Sequence, residues 1–284
     1  TPRILEAWAA RHPGQIRTLP FRGSGIAAAR DFAWRQATSP WVAFIDSDCE
    51  VQPGWADAVF EAMRRHAGEP DCAAFGGRNR VPQDGRLLYR AYALVLATYV
   101  GGHDSILNRP FAESRRVEHC PTLNVVYRRS ALEEIAGFDP AYVAAGEDLE
   151  VTRRLRARGY SLWAHPGMVV EHALRPTLAS WLRNMFVYGR GRCFHSKRHP
   201  EDAHPKFLAP LAVGLAYMMS AAAGPAGPVL VGTLHAAGVA ALLLPESRRQ
   251  RASIATYTSA VAITCMTHLA YAAGMLAELP RRKL

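Results

Sequence analysis

The sequence predicts a layered α/β domain followed by C-terminal membrane helices, and three observations support this. Up to residue 175, short apolar segments alternate with amphipathic ones, as strands and helices do in α/β folds. The apolar run 41–45 leads directly into Asp46 and Asp48, at the sheet edge where such folds bind ligands. Beyond residue 206, long apolar runs follow one another. The expected divisions are an α/β domain at 1–175, a basic amphipathic interfacial segment at 176–206 and a transmembrane region at 207–284.

The elements of the α/β domain are delimited by glycine and proline. Helices are expected where apolar residues recur at helical spacing, and strands where short apolar runs lie between turn residues. The expected helices are 1–12, 26–37, 55–66, 87–100, 130–136 and 147–158. The expected strands are 16–20, 41–45, 73–78, 122–127, 160–164 and 168–171. Residues 103–118 are interpreted as a polar surface loop and an acceptor-side lid.

The C-terminal third has the composition of a membrane protein. Residues 207–224 and 229–244 are apolar runs around a Gly-Pro turn, which predicts a hairpin near the lower limit of roughly 17 residues per span. Residues 252–279 form a third run, whose threonines and small residues suit helix packing in lipid. Three spans would separate the basic clusters 248–251 and 281–283, against the positive-inside tendency. The number of spans therefore stays open, with a re-entrant or interfacial run, or buried helices of a soluble domain, as alternatives.

Charge and cysteine content narrow the class of partner. The chain has 34 Lys+Arg against 24 Asp+Glu, a formal net charge of +10. Basic clusters flank the apolar runs without an aromatic-interleaved basic stripe, which indicates membrane lipids and no nucleic acid as partners. The five cysteines lack paired spacing, so they indicate neither a zinc site nor a disulfide framework, and they favour a reducing compartment. Segment 176–206 suits an interfacial helix, with packing on the domain as a compatible alternative.

An acidic pair after the strand 41–45 suggests a metal site. Carboxylates at alternate positions repel each other if they converge, so Asp46 and Asp48 favour a cation against them. With Mg²⁺ or Mn²⁺, the natural third partner is a diphosphate. A helix cap or an Asx-turn is the alternative use of such residues. A haloacid-dehalogenase-type phosphatase is disfavoured, because Glu50 stands where that chemistry usually has Thr or Val.

A second acidic pair, Glu147 and Asp148, follows Gly146 at the start of an expected helix. Helix capping alone would account for carboxylates at this position. The functional interpretation is a general base, which takes the proton of an acceptor hydroxyl as that hydroxyl attacks the anomeric carbon of a sugar. A metal at the first pair would offset the charge of the departing diphosphate. The two pairs, in this order and in an α/β setting, together predict sugar transfer.

The motifs between residues 25 and 172 resemble those of family 2 glycosyltransferases, which have the nucleotide-diphospho-sugar (GT-A) fold. The matches are to Gly-x-x-x-Ala-Arg-Asn at 25–31, the strand and Asp-x-Asp at 44–48, Asn-x-x-x-Arg-Arg at 124–129, Gly-Phe-Asp at 137–139, Glu-Asp at 146–150 and a terminal strand with histidine at 170–172. Asp31 replaces the usual Asn, and Glu150 stands where a second Asp is common. The resemblance implies a GT-A-like layered domain and an inverting transferase.

The resemblance also implies roles for the matched residues. Asp148 is the expected catalytic base, with Glu147 beside it. Asp46, Asp48 and His172 are the expected ligands of Mg²⁺ or Mn²⁺, and a structural hydrogen bond is the alternative for His172. Arg30 is expected to approach the donor diphosphate, and Asp46 the nucleotide sugar.

Further substrate contacts are expected at Asn124 on the motif strand and at Arg183 and Arg190 in the basic segment. The two arginines would meet phosphate or lipid headgroups, and ordinary surface charge is the alternative for both.

The expected partners are a nucleotide-diphospho-sugar donor, a lipid-linked or membrane-delivered glycan acceptor, and membrane lipids. The expected location is the cell membrane, multi-pass, with the catalytic domain cytoplasmic. The family's opening strand and base-binding Asp are not found, so the domain is expected to be N-terminally incomplete. The Gln-x-x-Arg-Trp motif of processive members is also not found around residues 181–191, which favours single transfers. A processive polysaccharide synthase and an inactive membrane scaffold are the alternative functions.

Overall fold

The computed structural model describes residues 2–82, 84–102 and 109–281. The strands are β1 Trp41–Ile45, β2 Cys49–Val51, β3 Cys72–Arg80, β4 Arg115–Arg116, β5 Asn124–Arg128 and β6 Ser161–His172. The helices of the N-terminal part are α1 Pro2–Arg11, α2 Ile26–Trp34, α3 Trp55–Arg65, α4 Leu87–Leu96, α5 Tyr99–Gly102, α6 Arg129–Glu134 and α7 Glu147–Ala157. Those of the C-terminal part are α8 Leu178–Arg198, α9 Pro205–Ser220, α10 Ala226–Arg249 and α11 Ile254–Glu278, with 3₁₀ turns at Pro200–Asp202 and Ala221–Ala223.

The described strands form one mixed sheet in the order β1-β5-β3-β6-β2, and β4 pairs with β6. The β3–β6 pair is parallel and the others are antiparallel. One sheet face packs against α2, α6 and α7, and the other face packs against α3. Because both faces are covered, the central strand β3 is buried over most of its length. This arrangement is the layered α/β domain that the sequence predicts.

Two expectations about strands were wrong. The two strands expected at 160–164 and 168–171 are one strand, β6, whose pairing with β3 shifts register between Gly77 and Arg78. A Cβ at Gly77 would overlap the carbonyl oxygen of Met168, so glycine allows the two strands to approach at this shift. The strand expected at 16–20 is not formed, and no strand in the described part of the chain pairs with it.

The helix expected at 87–100 is interrupted after Leu96, and α5 begins at Tyr99. The Thr98 hydroxyl donates to the carbonyl of Val95 at 2.7 Å, a side-chain bond that competes with helix continuation. Part of the expected surface loop pairs as β4. Residues 103–108 of that loop, where the lid was expected, lie outside the described residues.

The C-terminal helices pack with α4 into a helical layer with its own apolar core. Helix α8 occupies Leu178–Arg198 of the segment expected at 176–206 and lies along α11. Trp181 of α8 stacks on Tyr92 of α4 and donates its indole N–H to the Thr267 hydroxyl of α11 at 2.8 Å. Of the helices in the described residues, α10, α11 and the segment Pro205–Ala223 are long and apolar enough to cross a membrane. The basic segment therefore also packs against the helices that follow it.

Candidate active site

Arg30 lies at the centre of the candidate site. Its guanidinium donates to Asp46 Oδ1 at 2.6 Å and pairs with a carboxylate oxygen of Glu147. The residues come from three elements: Arg30 from α2, Asp46 from the end of β1 and Glu147 from the first turn of α7. Both carboxylates raise the pKa of Arg30 against the opposing effect of its burial. The fold therefore assembles residues that are separated by up to 117 positions in the chain.

Asp148 lies beside this cluster and is held by two contacts. Its Oδ1 accepts the backbone N–H of Leu149 at 2.8 Å, and its Oδ2 lies 3.2 Å from Nε2 of His119. Burial raises the pKa of Asp148, but the His119 charge and hydrogen bond, with Arg30, outweigh burial and lower the pKa to about 2. The carboxylate is therefore ionised at neutral pH and available to accept a proton.

Glu147 shows the opposite behaviour. Its burial and the negative charge of Asp148 raise its pKa to about 7, although Arg30 opposes the shift. Adjacent carboxylates with separated pKa values are typical of catalytic centres. Gly146, which precedes them, has a φ of 96°, a left-handed conformation that glycine adopts without strain, and it starts α7. The turn thereby directs both acidic residues toward Arg30.

Asp48 faces a different partner from Asp46. The antiparallel pairing of β2 and β6 sets Cys49 opposite His172, and His172 Nε2 lies 3.5 Å from Asp48 Oδ1. Arg175 Nη1 lies 3.9 Å from Asp48 Oδ2. The ligand atoms of Asp48, Cys49 and His172 all lie within 4.8 Å of one another. The structure thus brings together two of the three expected metal ligands, whereas the third, Asp46, binds Arg30.

The donor set at Asp48 fits a divalent cation. Burial, together with the charges of Asp48 and Asp46, raises the pKa of the Cys49 thiol to about 12, so the environment is electronegative and the thiol is neutral. A carboxylate and an imidazole remain as ligands. Mg²⁺ and Mn²⁺ accept such a small protein set, because substrate phosphates and water complete their coordination. Asp48 and His172 are therefore the residues that would hold the ion.

Asn124 is fully engaged within the protein, contrary to the expected substrate contact. Its side chain is buried, its Oδ1 accepts from the Trp55 indole at 2.9 Å, and its Nδ2 donates to the carbonyls of Met168 at 2.9 Å and Arg78 at 3.3 Å. Both N–H groups of the amide are engaged within the protein, and its oxygen already accepts one hydrogen bond. Asn124 therefore joins β5, β3 and β6 beneath the site, and we exclude it from the substrate contacts.

The two arginines of α8 have different surroundings. Arg190 pairs through Nε with Glu278 Oε2 at 2.9 Å, so its charge neutralises a buried carboxylate of α11. Arg183 is exposed on the helix surface. The structure therefore gives Arg190 a structural contact in place of the expected phosphate contact, whereas Arg183 is accessible to an anionic group.

Two residues near the site were missed by sequence reasoning. His119 contacts Asp148 but belongs to no motif, so no sequence signal could have identified it. Tyr188 of α8, although 45% exposed, has a pKa raised by partial loss of hydration and by the charge of Asp148, against a hydrogen bond with Asn184 and the charge of Arg175. Its proximity to the site depends on how α8 packs, which the sequence does not show.

The chain is similar to known glycosyltransferases. Residues 1–136 match the family model described as "Glycosyl transferase family 2". The "Pre-mycofactocin glycosyltransferase" of Mycobacterium tuberculosis is 28% identical over 201 residues, which is 70% of this chain and 41% of that protein. The "O-antigen biosynthesis protein RfbC" of Myxococcus xanthus is 26% identical over 166 residues, 55% of this chain and 12% of that protein. The chain thus spans less than half the length of these relatives.

A solved structure shares the fold. The mannosyltransferase PcManGT from Pyrobaculum calidifontis, determined in complex with GDP-Man and Mn²⁺, superimposes with a TM-score of 0.56 at 22% identity. The alignment covers 93% of this chain and 74% of that one. This likeness confirms the GT-A fold that the motifs predict.

Proposed function

We propose that this chain, whose residues 1–136 match the family 2 glycosyltransferase model, transfers a sugar, with inversion, from a nucleotide-diphospho-sugar to a lipid-linked or membrane-delivered glycan acceptor. The observation that carries the proposal is the cluster of Arg30, Glu147 and Asp148. The ionised Asp148 carboxylate and the buried Arg30 guanidinium support a base and a diphosphate contact within one site.

The donor half of the site consists of Arg30 and the Asp48–His172 pair. The Arg30 guanidinium suits a diphosphate, since it offers several N–H donors in a fixed plane. Asp48 and His172 would hold Mg²⁺ or Mn²⁺, which supplies charge neutralisation for the departing diphosphate when bound. The complex of PcManGT with GDP-Man and Mn²⁺ supports this class of donor and cofactor.

In the proposed transfer step, Asp148 receives the proton of the acceptor hydroxyl. The acceptor hydroxyl oxygen forms a bond to the anomeric carbon while the bond from that carbon to the diphosphate oxygen breaks. The hydroxyl proton passes to the Asp148 carboxylate, and the bonding electrons leave with the nucleoside diphosphate. One displacement inverts the anomeric configuration. The contact with His119 keeps Asp148 ionised and orients it for this role.

A basic cavity supports an anionic acceptor. A cavity of about 230 Å³ lies where the end of β3 meets the turn after α10, and Arg78, Arg80 and Arg249 line it. Burial and the charge of Arg80 lower the pKa of Arg78, and Arg78 Nε is buried without a hydrogen-bond partner among the described residues. A phosphate on a lipid-linked acceptor would relieve this crowding of positive charge. The position beside α10 suits a membrane-delivered substrate, with the α/β domain on the cytoplasmic side.

The test is a donor screen on the full chain in lipid nanodiscs. A panel of nucleotide sugars with Mn²⁺ or Mg²⁺ and a lipid-phosphate acceptor should yield single-sugar products with one donor. Asp148→Asn should lower turnover by about 10²–10⁴-fold, whereas Asp57→Asn, on the exposed face of α3, should not. Long polymers would favour a synthase. Turnover by Asp148→Asn at the unaltered rate, or no product from the folded unaltered chain, would overturn the proposal.

A further inference from the structure

A second cluster of ligand-type side chains lies where α7 meets the end of α8. Glu150 of α7, His195 of α8 and His199, which directly follows α8, place one ligand atom each within 4.8 Å of the others. His199 Nε2 lies 2.8 Å from Glu150 Oε2, and His195 Nδ1 lies 3.9 Å from the same oxygen. Glu150 and His195 are buried, and His199 nearly so. The cluster shares no residue with the sugar-transfer site.

The two histidines lie at the C-terminal end of α8. His195 is in the last turn of the helix, and His199 is the residue that directly follows it, with a non-helical φ of -130° and ψ of 74°. The turn of the backbone at His199 brings its ring to the same side as that of His195, so that both rings approach Glu150. Glu150 reaches the same point from a different helix. The cluster therefore has ligands from two elements, which a structural metal can join.

The second nitrogen of each imidazole faces a carboxylate. His195 Nε2 lies 3.6 Å from Asp202 Oδ2, and His199 Nδ1 lies 3.7 Å from Glu201 Oε1. Both carboxylates come from the 3₁₀ turn that directly follows α8. Metal-bound histidines usually donate their other ring N–H to such a group, which fixes the tautomer and orients the ring. The supporting residues of a histidine metal site are thus already in place.

A buried nitrogen without a partner provides a separate observation. His199 Nε2 is buried and makes no hydrogen bond to any described residue, although it lies 2.8 Å from Glu150 Oε2. Glu150 Oε2 already accepts a long hydrogen bond from the Tyr142 hydroxyl at 3.4 Å. A ligand beside His199 Nε2 would give this nitrogen a partner.

Neighbouring groups limit which ion fits. Arg154 takes the other oxygen of Glu150 at 3.1 Å, leaving Oε2 toward the histidines. The Tyr142 hydroxyl lies 3.0 Å from His195 Nδ1 and would have to rotate away or join the ligands. Arg153 and Arg198 lie nearby, and each pairs with a carboxylate, Arg153 with Asp202 and Arg198 with Asp139. Two imidazoles and one carboxylate match the ligand preference of Zn²⁺.

We propose that Glu150, His195 and His199 bind a divalent transition metal, with Zn²⁺ as the best match, and that this ion fastens the α/β domain to the membrane-associated helices. Glu150 lies on the same helix as Asp148, two residues further along. The ion would therefore also fix the base-bearing helix against α8. The alternative is a metal-free hydrogen-bonded network of the same residues.

The test measures metal content and thermal stability of the full chain in detergent. After dialysis with Zn²⁺ and removal of free metal, elemental analysis should find about one zinc per chain at this site. Saturating Zn²⁺ should raise the unfolding temperature by about 5 °C, and Mg²⁺ should not. Co²⁺ in place of Zn²⁺ should give the visible absorption of a tetrahedral site.

Single substitutions distinguish this metal site from the Asp48–His172 site. His199→Gln and Glu150→Gln should lose the zinc and the temperature shift, whereas His204→Gln, in the exposed segment after α8, should keep both. His172→Gln should also keep the zinc, which distinguishes the cluster from the donor site. If the unaltered chain binds neither zinc nor cobalt, the proposal is overturned, even if the variants fail to fold. Zinc retention by folded His199→Gln would overturn it equally.

Discussion

At the scale of single residues, Arg30 connects the two acidic pairs. Its contacts with Asp46 and Glu147 neutralise carboxylates that would otherwise repel one another in a buried setting. A diphosphate would compete with these carboxylates for the same guanidinium. Donor binding should therefore depend on the charge of Glu147, whose pKa is raised to about 7.

We expect donor affinity to be higher at pH 6 than at pH 8. Below its raised pKa, Glu147 is protonated, so it competes less for Arg30 and repels the diphosphate less. Above that pKa it is ionised, and affinity should fall by up to about tenfold, the equivalent of one pKa unit. Calorimetric titration of the full chain with its nucleotide sugar at the two pH values measures the difference.

The matched controls are two Glu→Gln changes. Glu147→Gln is neutral at every pH and should make donor affinity the same at pH 6 and pH 8. Glu61→Gln, on the exposed face of α3, should retain the difference. A pH dependence that persists in Glu147→Gln would show that another group controls donor binding.

At the scale of elements, the contact between α8 and α11 is the closest helix packing in the C-terminal layer. A Cβ at Gly274 of α11 would overlap the carbonyl oxygen of Phe186, and one at Gly189 of α8 would overlap that of Tyr271. Small residues at such crossings let two backbones approach, as in membrane helix pairs. Arg190 and Trp181 then bond across the same interface.

Gly274→Ala should separate α8 from α11 and destabilise the protein. The added methyl group has no space, and overpacking of this kind typically costs about 1–3 kcal/mol. Thermal unfolding of the detergent-solubilised chain should show a lower midpoint than that of the unaltered protein. Gly238→Ala of α10 is the control, because a Cβ there meets nothing within 4 Å. Equal midpoints for the two variants would contradict the packing.

At the scale of the whole molecule, both ends of α11 lie against other helices of the helical layer. Its first turn, at Ser253 and Thr256, lines a cavity of about 470 Å³ together with Tyr89 of α4. At its other end, the Glu278 carbonyl accepts from Lys197 of α8 at 2.8 Å. In its most apolar stretch α11 is 39% buried within the protein, against 11% for α10. Other helices thus enclose α11 more than α10, whereas the positive-inside tendency favours a crossing by the α9–α10 hairpin alone.

The topology gives a prediction that reporter fusions can check. If only the hairpin crosses, a reporter fused after residue 281 and one inserted at Gln250 should lie on the same side, and one at Gly224 on the opposite side. The two basic clusters would then share the cytoplasmic face, as the positive-inside tendency requires. A reporter after residue 281 on the side of Gly224 would instead show that α11 spans the membrane.

The sequence by itself determined the layered α/β domain and its GT-A fold, and it identified Asp46, Asp48 and Asp148 as candidate site residues. These follow from local patterns, because strand periodicity and motif spacing are properties of neighbouring residues. Sequence reasoning missed the register shift at Gly77, since a close approach of two distant strands leaves only a glycine as its signal.

Only the tertiary structure decided how the chemical groups are partnered. It placed His119 beside Asp148, bound the Asn124 amide to the Met168 carbonyl inside the sheet, and paired Arg190 with Glu278. It also brought His199 to Glu150 across two helices. Each of these contacts joins residues far apart in the chain, and burial then sets their charge and pKa. Those effects depend on three-dimensional packing, which no short sequence window contains.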